Sequence, residues 1–251
     1  MDSPLHHVPK ERRARVLKLI ELVVFPSFCR ICHSLLEKAG ERLVCRECWS
    51  RLTPQRSPFC ICCGRFFEGA IESHVCSTCV EHPPAFSRHR SACRYRGTAK
   101  ELIRLLKYQR LKVLGRDLGA FLFQSLQEET SLWWRADVLV PVPLHPKRKK
   151  ERGFNQAEIL AREMGRLSGI EVCKDLLRKS QESRPQTSLS GTERRSNLQG
   201  AFSVNKGRRA KGKTVILVDD VFTTGTTLEE CSRALLRAGA DEVRAATMAQ
   251  A

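Results

Sequence analysis

The chain has 251 residues, 41% hydrophobic and 6% aromatic, and its 44 Lys and Arg against 27 Asp and Glu give a formal charge of +17. A charge of that size predicts polyanionic company: nucleic acid, the phosphates of a small ligand or an anionic membrane surface, which charge alone does not separate. Neither an export leader nor a membrane span is expected, because the apolar stretch Val16 to Phe25 is short, is interrupted by Lys18 and Glu21, and runs into Pro26 instead of a small-residue cleavage site.

That stretch puts Val16, Leu17, Ile20 and Val24 on one face and predicts an amphipathic helix within residues 1–25. Cysteines follow. Ten of the twelve lie between Cys29 and Cys93, in a part of the chain too short, polar and aromatic-poor to hold a core unaided. A cytoplasmic location is expected, and there thiols stay reduced, so paired cysteines favour metal over disulfides. The pairs are Cys29 with Cys32, Cys45 with Cys48, Cys60 with Cys63 and Cys76 with Cys79, each 11 or 12 residues from the next. One Cys-x-x-Cys turn brings two thiolates to one side of a knuckle, and a second closes a tetrahedron around Zn²⁺. Eight thiolates make two sites. Sequential and interleaved pairings both satisfy the spacing, and the sequential one is expected. Four thiolates leave no open coordination position, so the zinc is expected to fold a module over residues 26–84 and to do no chemistry. Cys62 reads as a spectator, Cys93, Cys173 and Cys231 as small core residues, and His33, His74 and His82 as weaker competitors for the metal.

Pro83-Pro84 breaks both helix and strand and suggests a seam before a domain over residues 85–251. From Arg88 the pattern alternates strands and helices, the signature of a parallel sheet wrapped by helices, an α/β fold. Thr98 and Glu101 read as a capping box ahead of Leu102, Ile103, Leu105 and Leu106. Val138 to Val140 reads as a short buried strand. Residues 145–155 carry five Lys or Arg and one Glu, which suits a diphosphate or a merely solvated loop. Phe154 to Leu167 has helical spacing, with Gly169 to end it. Residues 178–213 hold ten Lys or Arg against two Glu, enough to track a phosphate backbone, though Phe202 alone is aromatic there.

Thr214 to Val218 reads as a buried strand that ends in Asp219 and Asp220 and passes through Val221, Phe222, Thr223, Thr224, Gly225, Thr226 and Thr227 into a helix with Leu228, Cys231 and Leu235 inward. A turn and helix start at a strand's carboxyl end offer backbone N–H groups, hydroxyls and the positive end of the helix dipole to a phosphate. The two carboxylates would then face an anion unless they served hydroxyl groups or a cation, so a ribose phosphate with Mg²⁺ fits better than a bare phosphate.

Val215-Ile-Leu-Val-Asp-Asp-Val-Phe-Thr-Thr-Gly-Thr-Thr227 resembles the motif with which type I phosphoribosyltransferases bind 5-phosphoribosyl 1-pyrophosphate (PRPP). The run from Val140 through Pro141-Val-Pro-Leu-His-Pro-Lys-Arg-Lys-Lys-Glu-Arg-Gly-Phe-Asn to Gln156, then Arg178, Gln186, Arg194, Asn197 and Gly200 to Phe202, is similar to the ComF (competence protein F) family, and with the cysteine module the likeness covers nearly the whole chain. It implies a type I phosphoribosyltransferase fold, PRPP held with Mg²⁺ by Asp219, Asp220, Val221, Thr223, Thr224, Gly225, Thr226 and Thr227, Asp219 and Asp220 as catalytic groups, and a pyrophosphate loop from Val142 to Arg152 carrying His145, Lys147, Arg148 and Arg152. Lys179 to Ser183 departs from the more basic stretch of relatives, so no roles carry over there.

Three readings stay open. An enzyme would transfer phosphoribosyl to an acceptor; such enzymes usually carry a hood that selects the base, and nothing here reads as one unless the zinc module takes that place. A DNA-handling protein would bind single-stranded DNA, alone or with other competence proteins, during uptake in transformation. A regulator would sense PRPP without turnover.

Overall fold

A computed structural model of the chain describes residues 26–36, 43–109, 111–179, 200–205 and 210–251. The helix expected over Val16 to Phe25 and most of the basic run 178–213 lie outside the described residues. The chain divides into two compact units, Met1–Leu52 and Thr53–Ala251, and the boundary falls between the second and third Cys-x-x-Cys pairs.

In the first unit, Phe28 and Leu35 bridge across the first knuckle, and helix α1 (Arg46–Ser50) carries Cys48 of the second. Sulfur replaces a hydrocarbon core here: Cys29, Cys45 and Cys48 are buried beside Val44. Cys45 caps α1, its Sγ accepting the Cys48 N–H at 3.4 Å.

The second unit opens with the other quartet and helix α2 (Ser77–Glu81). The chain then runs β1 (Arg88–Arg94), α3 (Gly97–Tyr108), α4 (Val113–Leu126), α5 (Thr130–Trp133), β2 (Val138–Pro141), α6 (Pro146–Arg152), α7 (Gln156–Ser168) and β3 (Glu171–Val172). It continues through β4 (Leu177–Lys179), β5 (Phe202–Val204), β6 (Thr214–Phe222), α8 (Thr226–Arg237) and β7 (Glu242–Gln250). Five strands form one parallel sheet in the order β1-β7-β6-β2-β3, while β4 and β5 pair as a separate antiparallel ribbon. Helices cover both faces, which is why β2 and the first part of β6 are continuous apolar runs; Val215, Ile216, Leu217 and Val218 are each 0% exposed.

Three expectations are corrected. The strand read as Thr214 to Val218 extends to Phe222, because pairing with β7 continues from Asp219 opposite Thr247 to Phe222 opposite Gln250 and overrides the poor strand propensity of Asp. The capping box at Thr98 does not form: Arg96, in extended conformation, takes the cap position of α3 without a side-chain cap, which leaves Thr98 inside the first turn. The basic loop from Val142 to Arg152 is largely helix α6, started by Pro146 at its first turn and stopped by Gly153 at φ 78°. The helix expected over Phe154 to Leu167 is present as α7, capped by Asn155 and ended by Gly169.

The second quartet is built into the sheet. Gly64, at φ +67°, closes its first knuckle, and a Cβ there would stand 2.5 Å from the His89 carbonyl oxygen. His89 donates its backbone N–H to Cys62 O at 2.8 Å and its Nδ1–H to Cys63 O at 2.8 Å, leaving Nε2 to accept from Thr247 Oγ1 at 2.9 Å. Full burial drives the imidazole down to about 3, so it is a neutral structural link between knuckle and sheet.

Candidate ligand site and zinc quartets

The sulfurs gather in chain order. Cys29, Cys32, Cys45 and Cys48 place their Sγ atoms within 4.8 Å of one another, and Cys60, Cys63, Cys76 and Cys79 do the same. Sulfur separations of 3.8 Å (Cys29 to Cys48), 3.6 Å (Cys32 to Cys45) and 3.8 Å (Cys63 to Cys76) are far beyond a disulfide bond. They match the edge of about 3.8 Å of a tetrahedron with Zn–S bonds of about 2.3 Å. Backbone N–H groups already point at sulfur, from Cys45 to Cys29 Sγ at 3.4 Å and from Cys76 to Cys60 Sγ at 3.3 Å. Burial pushes the Cys63 thiol up to about 12 and the Cys48 and Cys79 thiols still higher, so holding these groups as thiolates requires a cation among them. The donor set fits structural zinc. Cys62 stands outside the quartet, Cys93, Cys173 and Cys231 are buried in the core, and no histidine joins either quartet among the described residues.

The second site forms where β2 and β6 end side by side. From β2 the chain passes to β3 on one side, and it returns to β6 on the other. Connections therefore diverge between these two strands, the place where open parallel sheets bind ligands. Val142 N–H still donates to Val218 O at 2.9 Å, so the segment leaving β2 starts level with the acidic end of β6.

Asp219 and Asp220 leave the strand on alternate sides. Asp220 is 4% exposed, and its Oδ2 lies 3.0 Å from Lys107 Nζ in an ion pair whose angle does not make a hydrogen bond. Burial would lower Lys107, but Asp220 holds it above its ordinary value. Asp219 accepts the Asp220 N–H at 2.8 Å, and removal from water, reinforced by the Asp220 charge, pushes its carboxyl group up to about 7. After Phe222 the loop exposes Thr223 and Thr224, and Gly225, at φ +81°, caps α8. A Cβ on Gly225 would meet Phe222 Cζ at 2.9 Å. The Thr224 and Thr226 hydroxyls lie 2.9 Å apart, and among the described residues the N–H groups of 223–228 donate to no protein acceptor. Phe222 itself stacks on His89 at 4.1 Å, so the loop stands on the knuckle's anchor.

Of the four basic residues proposed to face this loop, the structure separates two kinds. Arg148 and Arg152 share one face of α6; burial and then the Arg148 charge depress Lys179, and the Arg152 charge opposes that on Lys107. Arg152 is held by Gln156 Oε1 at 3.0 Å and lies 5.6 Å over the Tyr108 ring. Lys147 is exposed, and His145 Nδ1 caps α6 by accepting the Lys147 N–H at 3.3 Å. Buried Asn155 ties the segment down, donating to Val142 O at 2.9 Å. Lys107 and Lys179 are two further cations at this strand end, and both act on Asp219. Neither stands out in the sequence as a site residue; the one signal for Lys107 is a lysine directly after Leu105 and Leu106, on the buried side of its helix.

Two family models match parts of the chain. Residues 106–251 match the phosphoribosyl transferase domain, and residues 20–80 match the double zinc ribbon domain. The chain is 29% identical over 226 residues to competence protein F of Haemophilus influenzae and 30% identical over 226 residues to DNA utilization protein YhgH of Escherichia coli, each alignment covering 89% of this chain and 96% of the relative. Competence protein ComFC of Bacillus subtilis is 30% identical over 203 residues, 78% of this chain and 79% of that one.

Proposed function

The chain belongs to the competence protein F (ComF) family, a phosphoribosyl transferase domain behind a double zinc ribbon, and from that premise we propose that it binds PRPP with Mg²⁺ between β2 and β6. The observation that carries the reading is the pairing of opposite needs at one strand end. The unclaimed amides of this loop and the hydroxyls of Thr223 to Thr227 suit the 5-phosphate, and Arg148, Arg152, Lys107 and Lys179 suit a pyrophosphate. Asp219 and Asp220 suit ribose hydroxyls and a divalent cation, for which hard carboxylate oxygens are the right donors. Mg²⁺, when bound there, neutralises charge on the departing pyrophosphate. Transfer breaks the C1–O bond with its electrons on pyrophosphate, and the carboxylates steady the positive charge that develops on the ribose carbon. Incubation with PRPP, Mg²⁺ and a panel of acceptors tests turnover: acceptor-dependent pyrophosphate release supports an enzyme, and tight binding without release reduces the function to PRPP sensing.

A second reading rests on the charge of +17 and on relatives named for competence and DNA utilization. In it the basic run 178–213 holds single-stranded DNA, and affinity falls steeply with salt. Oligonucleotide binding indifferent to salt between 50 and 200 mM would remove that reading.

A further inference from the structure

Lys107 is the penultimate residue of α3, and its ammonium stands 3.0 Å from Asp220 Oδ2, a buried oxygen that accepts no hydrogen bond. Of the two side chains Lys107 keeps the larger exposed fraction, 18% against 6%, so solvent meets the pair from the lysine side. Asp220 Oδ2 is thus matched in charge and unmatched in hydrogen bonding, a poor final state for a buried acceptor.

Three features mark the pair as one that exchanges. Lysine carries a compact charge on a flexible stem, whereas Arg152, a neighbouring cation, is held by Gln156 Oε1 at 3.0 Å and lies over the Tyr108 ring. Asp220 and Asp219 attract the Lys107 ammonium and Arg152 repels it, so its place follows the balance of charge at the strand end. Divalent cations of the Mg²⁺ class favour carboxylate oxygens, so they compete for the group that Lys107 holds.

We propose that Lys107 is an exchangeable counter-ion: it holds Asp220 in the free protein, yields that carboxylate to a divalent cation, and turns its ammonium to the phosphate oxygens of the ligand. The inference rests on the PRPP reading for that ligand. No covalent bond changes; charges are repartnered. Two adjacent carboxylates stay neutralised in both states, by lysine in one and by metal in the other, and Lys107 positions the pyrophosphate only once the cation has entered.

The zinc-loaded full chain, Lys107→Met, Lys107→Gln and the double variant Lys107→Met, Asp220→Asn are titrated with Mn²⁺ alone, the free ion being read by electron paramagnetic resonance. The pH is held at 8, above the value of about 7 to which Asp219 is raised. PRPP with Mg²⁺ is titrated calorimetrically into the same proteins. Removing a charged competitor from a buried carboxylate predicts Mn²⁺ affinity about tenfold tighter in Lys107→Met, although that variant is the less stable protein, and PRPP affinity about tenfold weaker. The double variant loses the gain in Mn²⁺ affinity. Lys107→Gln, which keeps a polar end group without the charge, gives the same two signs where the methionine variant folds poorly. A lysine that only supports the fold would weaken both ligands together. Mn²⁺ bound no more tightly by the single variants than by the parent therefore overturns the inference, and PRPP binding by the parent then leaves the PRPP reading intact. Unchanged PRPP affinity beside tighter Mn²⁺ also overturns it, because the ammonium then has no part in holding the ligand. If Mn²⁺ binding tightens and the parent binds no PRPP, the PRPP reading fails and the exchange between lysine and metal stands.

Discussion

Replacing Lys107 by Met tests whether a buried counter-ion organises the acidic strand end. The Lys107 and Asp220 side chains are 18% and 6% exposed and 3.0 Å apart, so removing the cation leaves a buried carboxylate beside Asp219. Breaking a buried pair costs about 3–5 kcal/mol. Lys179, whose charge also acts on Asp219, remains and softens the loss, which places Lys107→Met at the lower end, about 3 kcal/mol, or a fall in Tm of about 6–12 °C. Asp220→Asn removes the orphaned charge, so the double variant is expected to recover about 2 kcal/mol relative to the sum of the singles. Urea denaturation of the four proteins at saturating zinc closes the cycle. Single-variant losses that add within about 0.5 kcal/mol would refute the reasoning, because independent sites behave that way.

Asp219 is raised on folding, so its proton contributes stability that is complete below pH 3.8 and lost as pH rises to about 7. Urea midpoints of the parent should fall through that window relative to Asp219→Asn, and affinity for PRPP with Mg²⁺ should rise through it, with proton release that varies with buffer ionisation enthalpy. Gly225→Ala forces a side chain into φ +81° and against Phe222 at 2.9 Å; a destabilisation of about 1–2 kcal/mol and a loss of PRPP affinity are expected by calorimetry. Cys76→Ser should lower bound zinc, read colorimetrically, and weaken hydrogen-exchange protection of the His89 N–H, which donates to Cys62 O, and of β6 up to Phe222, on which His89 stacks. Protection that survives the substitution would disconnect the two.

The strand-loop-helix from Val215 to Thr227 was legible because its signals are local: an apolar run, two acids, a glycine needed at positive φ, and an amphipathic helix follow one another in the chain. The cysteine quartets were legible through spacing. What escaped depends on tertiary contact. Lys107 looks like any lysine near a helix end until α3 brings it onto Asp220. That Arg148 and Arg152 share one face and Lys147 does not could not be read without knowing that residues 146–152 are helical. Nor could spacing show that the second quartet shares a compact unit with the sheet, a connection made by His89 and Phe222.

Binding of PRPP is measured most directly by calorimetric titration of the zinc-loaded protein with PRPP and Mg²⁺, alongside the double variant Asp219→Asn, Asp220→Asn. The account predicts binding by the parent chain that the double variant loses. Absence of heat and of binding in the parent chain would contradict it and leave the parallel sheet as a scaffold for DNA binding alone.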